Sequence, residues 1–280
     1  MRRYLELIKF SHTIFALPFA LVAVLVATSG RPSLSQVFWV MVAMAGARSG
    51  AMGFNRWIDR RFDAANPRTQ NRPSVTGEIS SSRMILLITI SYLVLIVAAY
   101  QLNLLAFYLS PVAIFLTLFY SFTKRFTSYS HLFLGLAIGA APIAAWIAVE
   151  GKITGAALLL GGSVLCWIAG FDILYALQDI DFDRKSGLFS IPAQFGIPKS
   201  LMLARGLHGV TVLLWLAFYA LTSLNGWFLL GILGSASLLI WEHRLVKEED
   251  LSHLNLAFFN LNGYISVLML VATGFSYWMK

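Results

Sequence analysis

Charge is scarce in this sequence: only 12% of its 280 residues are charged, while 58% are hydrophobic. A soluble domain carries about 25% charged residues, so the shortage excludes a water-soluble globule and indicates an integral membrane protein. Cysteine is nearly absent. The single Cys166 excludes a disulfide framework and a cysteine-built zinc site. No cleavable leader is expected, because Arg2, Arg3 and Lys9 precede an apolar segment that runs on too long and has no small-residue cleavage pattern. No low-complexity tract or linker divides the chain, and one domain over residues 1–280 is expected. Acidic residues are few, 13 against 21 Lys and Arg, and they are not scattered. Asp59, Asp63, Asp172, Asp179, Asp181 and Asp183 all fall in two stretches, NRWIDRRFD at 55–63 and DILYALQDIDFD at 172–183, leaving Asp250 as the remaining aspartate.

What the chain does have is long apolar runs. Segments of about 18–22 residues, the length that crosses about 30 Å of hydrocarbon, lie near 12–30, 35–56, 84–102, 104–121, 131–149, 154–177, 203–222, 226–242 and 256–278. They predict an all-α membrane protein of nine transmembrane helices. A formal charge of +8 would by itself suit a nucleic-acid partner, but its distribution follows membrane topology instead. With the N terminus cytoplasmic, 17 of the 21 basic residues lie on the inside; Arg31, Lys152 and Lys280 lie outside, and Arg48 falls within a span. The C terminus is then outside, and both aspartate stretches meet the cytoplasmic interface. No protein partner is implied; the membrane lipid is.

Each aspartate stretch ends an apolar run. At about 100° per residue, Asn55, Asp59 and Asp63 follow one another along one helical face. Asp172, Asp179 and Asp183 likewise share a face, with Tyr175 near it. Asp181 points roughly 180° away and is left out of the site. Arg48 lies two turns before Asn55 on the same face, about 10 Å deeper. A charge at that depth usually faces a polar cavity. His12 receives no role, and MRRYLELIKF suits the interface. Arg56, Arg60, Arg61 and Arg83 read as ordinary topology determinants. The small residues of AMAGARSGAMGFN allow close helix contact, and those of GLAIGAAPIAAW suit a pocket wall or tight packing equally well. The seventh and eighth spans contain almost nothing ionisable and read as scaffold. Asn260 and Asn262, in apolar company, are expected to bond across helices.

Two carboxylate clusters on one side of a membrane, ringed by basic residues, fit a hard divalent cation. Magnesium takes oxygen ligands, commonly a few carboxylates plus substrate phosphates, so a diphosphate completes the set. Arg68, Arg72 and Lys124 can neutralise its remaining charge as it departs. At these residues the chain resembles the UbiA superfamily of membrane prenyltransferases. The likeness covers NxxxDxxxD as Asn55, Asp59 and Asp63, the following NPRTQNRP, YSFTKR at 120–125 and FDILYALQDIDFDRKSG at 171–187. Many members open the first motif with Asn-Asp, where this chain has Asn55-Arg56.

The resemblance implies nine helices around a central cavity. Both aspartate motifs would hold two Mg2+ ions against a polyprenyl diphosphate, with Asn55, Asp59, Asp63, Asp172, Asp179 and Asp183 as the metal set and Asp59, Asp63, Asp179 and Asp183 essential to catalysis. It also implies that Arg68, Arg72 and Lys124 bind diphosphate and that Arg48, Asn55 and Tyr175 line an aromatic acceptor. Within the family, NPRTQNRP and AFFNLNGYIS resemble the 4-hydroxybenzoate polyprenyltransferase group, including menaquinone-pathway relatives that act on a dihydroxynaphthoate. Arg48 could pair with the carboxylate that both acceptors carry. Two other readings are disfavoured. The DGxxAR…GxxxDxxxD signature of CDP-alcohol phosphatidyltransferases is absent, and a cation-coupled transporter using Asp172 and Asp179 would place its carboxylates near the midplane.

Overall fold

The structure, a computed structural model, describes Leu7, residues 13–248, Leu251, Leu254 and residues 256–279. His12, most of MRRYLELIKF, Glu249, Asp250 and the terminal Lys280 lie outside the described residues. Among the described residues every regular element is helical. In chain order these are α1 (Thr13–Ala27), α2 (Leu34–Ile58), α3 (Arg60–Ala65), α4 (Ser81–Leu102), α5 (Leu104–Thr123) and α6 (Ser130–Glu150). There follow α7 (Gly155–Ala176), a 3-10 turn (Leu177–Asp179), α8 (Ile180–Lys185), α9 (Ile191–Leu221), α10 (Gly226–Leu245), a π-helical turn (Leu256–Leu261) and α11 (Asn262–Trp278). Eight helical segments are long and apolar enough to cross a membrane, and α1 is a shorter apolar helix. The expected nine runs therefore appear as eight full-length segments plus this shorter one.

Local chemistry sets the helix boundaries. Ser33 and Gln36 form a reciprocal capping box at the start of α2, and Ser80, Thr154, Ser190 and Asn225 accept from the first turns of α4, α7, α9 and α10. Asn103 does double duty in the α4–α5 turn: it caps α5 through Ala106, and its amide donates to the Ile147 and Ala148 carbonyls at 2.8 and 2.9 Å. That bond ties the hairpin to the far end of α6. α9 begins twelve residues earlier than its apolar run. Its first turn is capped by Ser190, and a break at Gly196 (φ 80, ψ 175) before Pro198 joins it to the spanning part, a backbone state that glycine tolerates without strain.

Close helix approach follows the small residues. A Cβ on Gly46 would sit 2.6 Å from the Ser91 carbonyl oxygen on α4, and one on Gly139 equally near the Gly161 carbonyl oxygen on α7. On α6 the two readings of GLAIGAAPIAAW are both realised, because its glycines face α7 while Ala137, Ala140, Ala141 and Ala144 line an apolar cavity. Helix α6 continues through Pro142. The core gathers Phe19, Trp167, Trp215, Phe218 and Phe228 between α1, α7, α9 and α10.

The scaffold spans carry more polarity than their sequence suggested. Glu242 is fully buried and accepts from Asn262 Nδ2 at 2.9 Å, while Asn262 Oδ1 accepts from Trp167 Nε1 at 2.6 Å. His208 Nδ1 lies 2.9 Å from His243 Nε2. Asn262 thus bonds across helices as expected, whereas Asn260 is exposed. Replacing Asn262 with leucine strands two buried polar groups, and we expect a loss of about 2–4 kcal/mol, read as a lowered thermal midpoint in detergent.

Candidate active site

Helix α2 does not run straight through the first aspartate stretch. Asp59 leaves helical geometry (φ −91, ψ 5) and α3 restarts beyond it, with the Asp63 amide donating to the Asp59 carbonyl at 2.8 Å. The turn is bent but unbroken, so Asn55, Asp59 and Asp63 still reach one cavity. Asn55 Nδ2 donates to Asp59 Oδ2 at 2.9 Å and orients that carboxylate. Pro67 follows, and Asn66 makes an Asx-type turn in which its Oδ1 accepts from the Arg68 amide at 2.9 Å. This turn swings the loop of residues 66–80 over the cavity.

The loop then joins the two stretches directly. Arg68 grips Asp179 with both ends of its fork, Nε to Oδ1 at 3.1 Å and Nη2 to Oδ2 at 2.6 Å, and Asn66 Nδ2 adds a third bond at 3.1 Å. Such bidentate charge-assisted pairs are strong and directional. Arg72 Nη1 holds Asp63 Oδ1 at 2.6 Å, and Lys124 Nζ lies 2.9 Å from Asp183 Oδ1. Arg125, between the rings of Phe62 and Phe122, donates to Asp59 Oδ1 and to the Ile58 carbonyl, each at 2.9 Å. Gly187, at φ 66, closes α8 and sends the chain back so that the Phe189 amide donates to the Lys124 carbonyl at 2.8 Å.

The polar cavity so formed has a volume of about 200 Å³. Its residues suit a divalent metal ion: Asp63 Oδ2 and Asp183 Oδ2 have no hydrogen-bond donor, and the other oxygen of the fully buried Asp183 faces only the Lys124 ammonium. Ionised oxygens in that state need a cation. Among the described residues no three acidic or histidine groups are close enough to hold an ion unaided, which matches magnesium's habit of completing its shell with water and phosphate oxygens. Burial pushes the Asp59 carboxyl above the usual range, and Arg125 only partly offsets it. Arg125→Leu removes that offset, so Asp59 protonates at still higher pH. The acid limb of the activity profile should move to higher pH, while Arg125→Lys should move it less.

Three expected residues stand elsewhere. Asp172 turns away to accept from His131, Nδ1 to Oδ2 at 2.7 Å, while the Ile191 amide approaches His131 Nε2 at 3.4 Å. The intervening 3-10 turn advances about 120° per residue rather than about 100°, rotating Asp172 by about 60° relative to Asp179, from about 20° on one side of its face to about 40° on the other. Tyr175 does not line the cavity but accepts from Arg68 Nη1 at 3.2 Å. Arg48 lies deeper on α2, within electrostatic reach of Tyr120. Asp181 is exposed and outside the site, as its helical angle implied. Sequence reading missed Arg56, Asn66, Arg125 and His131. Arg56 could have been found, since it stands seven residues before Asp63 and so shares its face.

Beyond the polar cavity lies a second one of about 260 Å³, almost wholly apolar, between α2, α4, α5 and α6. Thr117, four residues before Ser121 of the polar cavity, marks the approach of one to the other. An anion site adjoining a hydrocarbon slot inside a helical membrane protein is the arrangement a lipid diphosphate requires. Residues 16–264 match the UbiA prenyltransferase family. This chain belongs to that family.

Relatives agree with the assignment. The 4-hydroxybenzoate octaprenyltransferase of Pseudomonas fluorescens strain SBW25 is 32% identical over 232 residues, 81% of this chain and 77% of that one. The enzyme of the same name from Shewanella woodyi is 29% identical over 92% of this chain and 89% of its own. A UbiA homologue from Aeropyrum pernix K1, solved in its apo form, superposes with a TM-score of 0.82 at 29% identity and covers 96% of this chain and 97% of that one. A UbiA homologue from Archaeoglobus fulgidus, solved with GPP and Mg2+, shares the fold at a TM-score of 0.76 and 23% identity, over 99% of this chain and 100% of its own. The UbiA-family chain described here is thus a multi-pass membrane prenyltransferase.

Proposed function

We propose that this protein transfers a polyprenyl group from an allylic diphosphate to an aromatic acid of the 4-hydroxybenzoate type, a step of quinone biosynthesis in a bacterial inner membrane, with its site on the cytoplasmic side. The observation that carries this reading is the convergence of both aspartate stretches on one basic cavity beside an apolar slot. Its curated relatives act on 4-hydroxybenzoate by name, and the basic loops that favour a cytoplasmic site are those that frame this cavity.

Asp59, Asp63, Asp179 and Asp183 would hold magnesium. When bound, it supplies Lewis-acid neutralisation of the leaving diphosphate. Arg68, Arg72 and Lys124 bind the same group, each already fixed by an aspartate, so little reorganisation accompanies bond breaking. The allylic carbon–oxygen bond breaks, diphosphate departs, and the ring carbon ortho to the hydroxyl forms the new carbon–carbon bond before losing its proton. Asn55 bounds the acceptor's position at the cavity, Arg48, deeper on the same helix, would meet the acceptor carboxylate, Tyr175 acts through Arg68, which it contacts, and the apolar walls keep water from the cation.

The test is diphosphate release by purified protein in nanodiscs, with octaprenyl diphosphate and a panel of 4-hydroxybenzoate, dihydroxynaphthoate and non-aromatic acids. Turnover with 4-hydroxybenzoate supports the reading. Preference for dihydroxynaphthoate moves the protein to the menaquinone branch, and no turnover with any acceptor overturns the reading.

A further inference from the structure

We propose that Arg56 is a built-in cation of the diphosphate pocket, and that this chain therefore binds its substrate with one divalent ion rather than the two the family resemblance implies. The inference rests on the prenyl-diphosphate reading above. Arg56 sits in the last turn of α2, only 8% exposed, and lines the same cavity as the four aspartates. Its Nη1 is 3.9 Å from Asp63 Oδ2, beyond hydrogen-bond length, and that oxygen has no donor. Arg72 meanwhile holds the other oxygen of Asp63 at 2.6 Å. The guanidinium is therefore inside the pocket, close to a metal-binding carboxylate without neutralising it by contact.

Charge decides what this means. Four carboxylates line the cavity with five cations, Arg56, Arg68, Arg72, Lys124 and Arg125, a net of one positive charge. An alkyl diphosphate brings about three negative charges near neutral pH. One divalent ion cancels the difference. A second would leave the site doubly positive, where Asp63 and Asp179 are each 7% exposed and Asp183 is fully buried. Uncompensated charge is strongly penalised in such surroundings. Among the described residues no three acidic groups lie close enough to hold an ion by themselves, so each ion also draws on water and diphosphate oxygens. A guanidinium suits phosphate oxygens in the bidentate manner, and Arg56 takes the share a second ion would have claimed.

The experiment counts bound Mn2+ by electron paramagnetic resonance, using the full chain in nanodiscs saturated with geranyl thiodiphosphate, a non-reacting probe. We expect one ion per chain in the wild type and in Arg56→Lys, and two in Arg56→Asp, which lowers the pocket charge by one ion's worth. Thiodiphosphate affinity plotted logarithmically against free Mn2+ should rise with a slope near one in the wild type and near two in Arg56→Asp. Should Arg56→Asp fail to insert, the wild-type count and slope decide alone. Two ions in the wild type overturn the inference and leave the diphosphate reading standing. Failure to bind the thiodiphosphate at all, with Mn2+ present, overturns both.

Discussion

Replacing Asp179 with alanine is expected to abolish prenyl transfer, with turnover falling by about four orders of magnitude or more, while the protein still inserts and folds. Asp179 is a proposed metal ligand and also the carboxylate that receives Arg68 and Asn66. Its loss therefore removes an ion site and frees the loop that closes the cavity; each lost electrostatic contact to a leaving group costs about 10²–10³ in rate. Asp181→Ala is the internal control, because that side chain is exposed and lines nothing; its turnover should stay within about twofold of the wild type, the scale of a neutral surface change. An active Asp179→Ala protein, or equal losses in both variants, would refute the assignment of the second motif.

The other large effect should come from the apolar slot. Ala144 of α6 faces the cavity between α2, α4 and α5, and a tryptophan there fills much of its roughly 260 Å³ volume. We expect Ala144→Trp to lower kcat/KM for octaprenyl diphosphate by about 100-fold, in keeping with about 3 kcal/mol of lost burial, while geranyl diphosphate loses less than about tenfold. Its few carbons need only the part nearest the polar cavity. Equal losses on both donors would show that the long chain takes another route.

How much of this was legible beforehand depends on which residues act through local periodicity. The spans followed from apolar run lengths, and Asn55, Asp59 and Asp63 from helical spacing, because one bent turn at Asp59 hardly alters their shared face. Asp172 escaped for the converse reason: three residues of tighter helix are invisible in the pattern yet rotate everything before them. Asn66 and Arg125 reach the site through tertiary placement of a loop and a helix end, and no spacing rule encodes that. The polar tie between Glu242, Asn262 and Trp167 spans three helices, and only Asn262 announced itself by its apolar neighbours.

The loop carrying Arg68 and Arg72 meets the opposite motif through side-chain bonds, while Asp179 stands just beyond α7, whose side chains are mostly buried. One jaw of the clamp is a helix end of the bundle and the other is a loop, seated on the bundle by the buried Thr69, Ser74 and Ile79. On the proposed reaction, diphosphate would leave past that loop into water and the alkylated ring along the hydrocarbon slot, so products of opposite solubility would not compete for one passage.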